Sequence, residues 1–126
     1  WLVWHLTRVQ DDHVSEVAGR EQAWTGHGWA ERFGLALPPS DTGYGHGPDQ
    51  VAKVTASAEL LTGYLDAVTA QSQDYLTKVE GDDLERVVDE RWDPPVTLGV
   101  RLVSVVSDDL QHAGQAAFVR GVLQRG

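Results

Sequence analysis

Apolar residues recur at steps of three and four along three segments of the chain, and this spacing constrains the fold most strongly. It places apolar side chains on one face of an α-helix, whereas side chains of a β-strand alternate with a period of two. We predict one helix from Trp1 to about Val17 and a second helical region from Pro48 to about Val79. A third helix is predicted from the cap residue Thr97 to about Gln124. The sequence therefore predicts an all-α bundle.

Glycine and proline interrupt this pattern in two places. Residues 24–48 are rich in glycine, proline and aromatic residues, which predicts a short helix over Trp29–Phe33 within a long, ordered loop. Its histidines, His27 and His46, are expected to be solvated, with a position over the pocket as the alternative for either. We also expect a helix break near residue 56, with Ser57 as the new N-cap. A short helix is predicted over Leu84–Val88.

Composition excludes several classes of function. The 10 basic residues against 19 acidic ones give a net charge of −9, which disfavours nucleic acid as a partner. The absence of cysteine excludes disulfides, thiolate metal sites and a cysteine nucleophile. No apolar run is long enough to span a bilayer and no secretion signal precedes the first helix. We therefore expect a cytoplasmic protein without a membrane partner, acting on a small molecule.

The third helix carries polar residues within its predicted inward stripe. Asp108 and His112 are four residues apart, so their side chains lie one above the other on the same face. His5 lies on the inward face of the first helix and can supply a third ligand. Two histidines and one carboxylate leave coordination positions free, which is typical of a catalytic metal site. The alternative is a local hydrogen-bonded pair on a solvated face. The stripe consists of Val105, Asp108, His112, Gln115, Val119 and Val122.

Two further polar residues lie near these candidate ligands in the helical pattern. Asp12 follows His5 by two turns and can orient a ligand histidine, although a surface or interface role is the alternative. Gln115 follows His112 by one turn, where it can contact a metal-bound water or make an ordinary bond between helices. We therefore treat Asp12 and Gln115 as candidates for a supporting or pocket role.

Two segments resemble a known family. Trp4-His5-Leu6 in the first helix and Ser107–Gln115 in the last are similar to DinB-like metal-binding four-helix bundles. The region from Arg91 to Gly121 resembles their actinobacterial branch, which includes relatives of mycothiol-dependent maleylpyruvate isomerase. In the family pattern, the last helix carries His-x-x-x-His followed by Gly-Gln. His112 and Gly114-Gln115 match this pattern, whereas Asp108 replaces the first histidine, as a carboxylate does in the isomerase-like members.

The resemblance implies an up-down-down-up bundle in a single domain over residues 1–126. It also implies a first helix upstream of Trp1. The apolar start of the chain and its lack of methionine led us to expect that this helix is absent here. Such a bundle would expose an apolar groove, for which a homodimer is one expected solution.

The resemblance also implies a chemistry. We expect a divalent metal, with zinc preferred over nickel or iron, held by His5, Asp108 and His112. The implied reaction is a thiol transfer or an isomerisation that uses a low-molecular-weight thiol such as mycothiol, with a metal-bound thiolate or water as the nucleophile. One alternative is a bundle that binds a metal or small ligand without turnover. The other is a structural bundle whose polar centre is satisfied by hydrogen bonds.

Overall fold

Three long helices form the frame of the molecule, and the first of them in chain order lies between the other two. The computed structural model describes residues 1–126 and confirms the predicted all-α class. Helix α1 packs against both α5 and α6, while the short elements connect these three. The helices are α1 (Leu2–Ala18), α2 (Ala23–Gly26), α3 (Trp29–Phe33), α4 (Pro48–Ala52), α5 (Ala58–Leu76) and α6 (Leu98–Arg125).

The ends of the long helices follow from local sequence. Gly19 ends α1 with a φ of 62°, in the left-handed region where glycine avoids the steric cost of a side chain. The hydroxyl of Ser57 accepts a hydrogen bond from the backbone NH of Leu60 at 3.1 Å, and Thr97 accepts one from Val100 at 3.3 Å. The predicted break near residue 56, the cap at Thr97 and the short α3 helix are all confirmed.

The predicted helix over Leu84–Val88 is wrong. A 3-10 turn spans Gly81–Glu85, and the chain then forms a two-stranded antiparallel hairpin from β1 (Val87–Asp89) and β2 (Val96–Thr97). The Asp83 carboxylate accepts a hydrogen bond from the Glu80 backbone NH at 2.8 Å, which stabilises the tight turn. The β-branched residues after this turn favour the extended conformation once a partner strand is present.

Aromatic side chains from α1, α5 and residues 24–48 form the aromatic core. The loop contributes Trp24 and Phe33, so the prediction of an ordered loop packed on the helices is confirmed for these residues. Trp24 lies edge-on to Trp4, with ring centroids 6.2 Å apart, and within 5.1 Å of the Tyr64 ring. This packing holds the loop against the same helix that carries His5.

A fully buried polar network lies beside the aromatic core. The Asp11 carboxylate accepts hydrogen bonds from the backbone NH groups of Ala23 and Trp24 at 2.9 and 2.8 Å, and from the Tyr64 hydroxyl at 2.7 Å. The Arg8 guanidinium lies 3.7 Å from the same carboxylate. Every charge of this network is therefore paired, as burial requires.

Helix α6 extends past the start of α1. Its 28 residues span about 42 Å, whereas the 17 residues of α1 span about 26 Å. No side chain from 113 to 125, a segment we call the α6 overhang, is buried. The predicted inward stripe therefore stays inward only as far as His112, and its last members, Val119 and Val122, are exposed. None of the helices combines the length and apolar character that crossing a membrane requires.

Candidate metal centre

The first candidate ligand, His5, lies on α1 and is held in place through one ring face and one ring nitrogen. Its imidazole is buried and stacks on Trp1, with ring centroids 4.4 Å apart and an angle of 16° between the planes. The Nδ1–H donates a hydrogen bond to the backbone carbonyl of Thr42 at 2.5 Å. Because a carbonyl only accepts, Nδ1 carries the proton and Nε2 is left with a free lone pair.

The second and third candidate ligands face His5 from α6. Asp108 and His112 are one helical turn apart, and Asp108 Oδ1 lies 3.3 Å from His112 Nε2. The Nδ1–H of His112 donates to Oε1 of Gln115 at 2.8 Å. This bond again places the proton on Nδ1 and directs Nε2 towards the carboxylate. Both histidines are therefore in the tautomer of an Nε2 metal ligand.

The ligand atoms of His5, Asp108 and His112 lie within 4.8 Å of one another. The two imidazole rings meet edge to face, with centroids 4.6 Å apart and an angle of 77°. Ligands of one zinc ion with bonds of about 2.0–2.2 Å lie about 3–3.6 Å apart, so small side-chain rotations close this trio around an ion. Asp108 Oδ2 is buried without a hydrogen-bond partner. The donor set and the unpaired carboxylate oxygen fit a divalent cation.

The electrostatics of the site favour the neutral form of His5. Burial lowers the pKa of His5, and the positive charge that His112 can carry lowers it further, while the bond to Thr42 and the nearby Asp108 act in the opposite direction. Neutral imidazole is the form that binds metal ions. The lone pair of His5 is therefore available near neutral pH.

The two predicted supporting residues have different surroundings. Gln115 contacts His112 directly, as described above. Asp12 contacts none of the three candidate ligands: its carboxylate accepts a hydrogen bond from Gln22 Nε2 at 2.7 Å. It lines a separate polar cleft at the other end of the α1–α6 interface.

The loop supplies residues that the sequence interpretation missed. Gly43 has a φ of 95°, and a Cβ at this position would lie 2.5 Å from Nδ1 of His5. Only glycine lets the backbone pass this close and present the Thr42 carbonyl to the imidazole. The glycine-rich composition of the segment was the one available signal.

The prediction that His46 is solvated is wrong. Its side chain is buried, and its Nδ1 accepts a hydrogen bond from Trp1 Nε1 at 3.1 Å. Its Nε2–H donates to Asp41 Oδ2 at 3.2 Å, and its ring stacks on Trp4. His46 thereby supports Trp1, the residue that stacks on His5. His27, in contrast, is exposed and lies beside Gln71.

Asp109, next to Asp108 on α6, is a second partly buried carboxylate near the site. Burial, with a smaller contribution from Asp108, raises the pKa of Asp109 to about 6. Its Oδ1 has no hydrogen-bond partner. Because this pKa still lies below neutral pH, Asp109 is mostly ionised there and adds to the negative character of this part of α6.

An open cleft of about 350 Å³ leads to the candidate ligands. The candidate ligands His5 and Asp108 line it, together with the loop residues Thr42 and Tyr44. Tyr44 is almost fully exposed. A small molecule can therefore reach the ligand atoms from solvent, as catalysis requires and a closed structural metal site does not allow.

Known proteins resemble this chain over nearly its whole length. The family model described as MST: Mycothiol-S-transferase matches residues 1–125. A conserved protein from Enterococcus faecalis, known from its crystal structure, is 39% identical and superimposes with a TM-score of 0.89. The match covers 95% of this chain and 71% of that chain. No curated protein matches the sequence significantly.

Proposed function

Because the chain belongs to the mycothiol-S-transferase family, within the DinB-like superfamily, we propose that it is a divalent-metal-dependent enzyme that uses a low-molecular-weight thiol. The observation that carries this proposal is the convergence of the ligand atoms of His5, Asp108 and His112 within 4.8 Å, beside an open cleft that His5 and Asp108 line. Mycothiol is the proposed thiol and an electrophilic small molecule is the second substrate.

The chain's own residues prepare this site for a cation. Thr42 and Gln115 each accept a hydrogen bond from the Nδ1–H of a histidine, which leaves the metal-binding lone pair of both histidines on Nε2. Asp108 adds a negative charge that offsets a divalent ion. A bound divalent ion supplies the positive charge that lowers the pKa of a thiol and favours its nucleophilic thiolate form. Zinc suits imidazole and carboxylate ligands, and nickel and iron fit the same set.

The cleft supports a reaction between two small molecules. The chain has no cysteine, so a thiol that reacts here comes from solution. Val9 and Val105 line the cleft beside the candidate ligands and provide apolar surface. Apolar walls exclude water and strengthen the electrostatic effect of Asp108 on a bound cation.

Metal analysis of protein purified without an affinity tag is the first experiment. We expect about one divalent ion per chain, and we expect His5→Ala, Asp108→Ala and His112→Ala to lose at least 10-fold in metal affinity, measured by calorimetry. His27→Ala is the matched control, because His27 is an exposed histidine outside the cleft. If no metal binds and His112→Ala changes neither stability nor ligand binding, the proposed metal site is wrong.

Turnover is the second experiment. The metal-loaded protein is mixed with mycothiol and a haloarene, and thioether formation is followed by absorbance. We expect a metal-dependent rate that His5→Ala and Asp108→Ala abolish and His27→Ala retains. Stoichiometric metal without thiol-dependent turnover would instead favour the alternative function, a metal- or ligand-binding bundle that is not an enzyme.

A further inference from the structure

A second, larger cleft lies further along the α1–α6 interface, and no part of the proposed metal site uses it. This polar cleft has a volume of about 640 Å³, within the usual range for small-molecule sites. Its walls come from the second half of α1, the first half of α6 and the β1–β2 hairpin. The residues that carry the argument are Asp12, His13, Gln22, Trp92, Arg101 and Ser104.

The polar cleft adjoins the cleft at the candidate metal ligands. His13 and Ser104 line both of them. His13 is eight residues after His5 on α1, so about 12 Å of helix separates the candidate ligand His5 from the point where the two clefts meet. A single extended molecule can therefore occupy both clefts.

The charges in the polar cleft are balanced and already paired. Its three arginines and three carboxylates sum to a formal charge of zero. Arg101 pairs with Glu16 and lies 3.5 Å from Asp89, and Arg91 forms a bidentate pair with Asp89 at 2.8 and 2.9 Å. Because these charges offset one another, the cleft attracts neither an anion nor a cation strongly. It still offers many hydrogen-bond donors and acceptors to an uncharged ligand.

Two side chains in the polar cleft lack partners. Trp92 is 65% exposed, and its apolar ring forms part of the cleft lining. His13 Nδ1, at the junction of the two clefts, is buried without a hydrogen-bond partner. An aromatic face beside carboxylates, amides and hydroxyls suits a polyhydroxylated ring, whose C–H face stacks while its hydroxyls form hydrogen bonds.

We propose that the polar cleft binds the uncharged, polyhydroxylated part of the thiol substrate while the sulfur reaches His5, Asp108 and His112. Trp92 stacks on a ring of the ligand, and Asp12, Gln22 and Ser104 bind its hydroxyls. The Nδ1 atom of His13 forms a hydrogen bond with the ligand where the two clefts meet. This assignment rests on the proposed function only for the position of the sulfur, because the chemistry of the polar cleft is independent of the metal.

The kinetic test compares two thiols, the polyhydroxylated mycothiol and free cysteine. We expect Trp92→Ala to raise the KM for mycothiol about tenfold with little change in kcat, and to leave kcat/KM for cysteine unchanged. Trp92→Phe, which keeps an aromatic face, should recover most of the loss. Phe118→Ala is the matched control, an equally exposed aromatic residue outside both clefts. Equal effects of Trp92→Ala on both thiols would overturn the proposal.

A binding test separates this proposal from the proposed function. Ligand-observed NMR with myo-inositol, which has no thiol, needs neither metal nor turnover. We expect binding to the wild-type chain and to His112→Ala, and loss of binding in Trp92→Ala. If maleate or putrescine binds in the cleft and myo-inositol does not, the cleft selects charge and the proposal is wrong. If myo-inositol binds although no thiol is turned over, only the proposed function fails.

Discussion

The aromatic core and the α6 overhang are built on opposite principles, although the candidate metal centre needs a helix from each. His5 belongs to α1, whose other face carries Trp4 and Asp11 into a packed and fully bonded interior. Asp108 and His112 belong to α6, which beyond His112 has no buried side chain. The packed core around α1 therefore positions His5, whereas the positions of Asp108 and His112 depend on how the first half of α6 is attached to α1.

The largest effect is expected in the buried polar network beside the aromatic core. Asp11→Asn removes the charge that faces Arg8 and leaves that guanidinium buried without its ion-pair partner. We expect a loss of about 3–5 kcal/mol in the free energy of unfolding, measured by urea denaturation. Asp66→Asn, at an exposed position of α5, should change stability by less than about 0.5 kcal/mol. If Asp11→Asn also changed the free energy of unfolding by less than about 0.5 kcal/mol, the network would not stabilise the core.

The next effect concerns the contact between the loop at Gly43 and the candidate ligand His5. Gly43→Ala adds a Cβ at 2.5 Å from His5 Nδ1 and forces a non-glycine residue to a φ of 95°. We expect a loss of about 1–3 kcal/mol in stability and at least 10-fold in metal affinity. Gly45→Ala is the matched control: its φ is 74°, but no atom lies within 4 Å of its Cβ. Equal metal affinity in the two variants would contradict the role of Gly43.

The third effect concerns the ion pair that attaches the N-terminal part of α6 to β1. Hydrogen bonds from Arg91 hold the pKa of Asp89 well below its usual value, and Arg101 of α6 contributes to this shift. Because the folded pKa is depressed, the unfolded chain takes up the proton first as the pH falls. The stabilisation by Asp89 is therefore present at neutral pH and is lost progressively below about pH 4.

Urea denaturation of the wild type and Asp89→Asn between pH 7 and pH 2 measures this contribution. We expect the wild type to be more stable at neutral pH and the difference to shrink as the pH falls. Asp66→Asn should not alter the pH dependence. A difference that stays constant down to pH 2 would show that the Asp89 ion pairs do not stabilise the fold.

Local rules were sufficient to predict most of the fold and the candidate ligands. The spacing of four residues between Asp108 and His112 fixes their common face once α6 is a helix. Ser57 and Thr97 identify helix starts, because a cap needs only its own hydroxyl and the next turn. These features depend on residues close in sequence, and a single sequence contains that information.

Features that depend on distant backbone could not be predicted in the same way. The contact between Thr42 and His5 joins residues 37 positions apart and requires the left-handed conformation of Gly43. The β1–β2 hairpin forms because Val87 pairs with Thr97, whereas the local sequence around Leu84 also suits a helix. His46 is buried because Trp1, the residue before α1, and Trp4 of α1 lie beside it. Periodicity within one segment says nothing about such partners.

The smallest effect is expected in the α6 overhang. Phe118 is 73% exposed, so Phe118→Ala removes little contact area within one chain. We expect the free energy of unfolding to change by less than about 0.5 kcal/mol, whereas a buried phenylalanine replaced by alanine costs about 3–5 kcal/mol. Phe33→Ala, in the aromatic core, is the matched comparison.

A second variant of the overhang, Leu123→Ala, tests the predicted homodimer when it is measured at several protein concentrations. Leu123 and Val119 line an apolar groove of about 770 Å³ with Leu2 and Val3, and exposed apolar surface of this kind is typical of an interface. If a second copy covers this groove, Leu123→Ala will weaken the dimer and its effect on stability will depend on chain concentration. Sedimentation velocity over a 100-fold concentration range measures this directly. A single monomeric species at every concentration would leave the contrast with the aromatic core intact, because the overhang would then stabilise neither the chain nor an assembly.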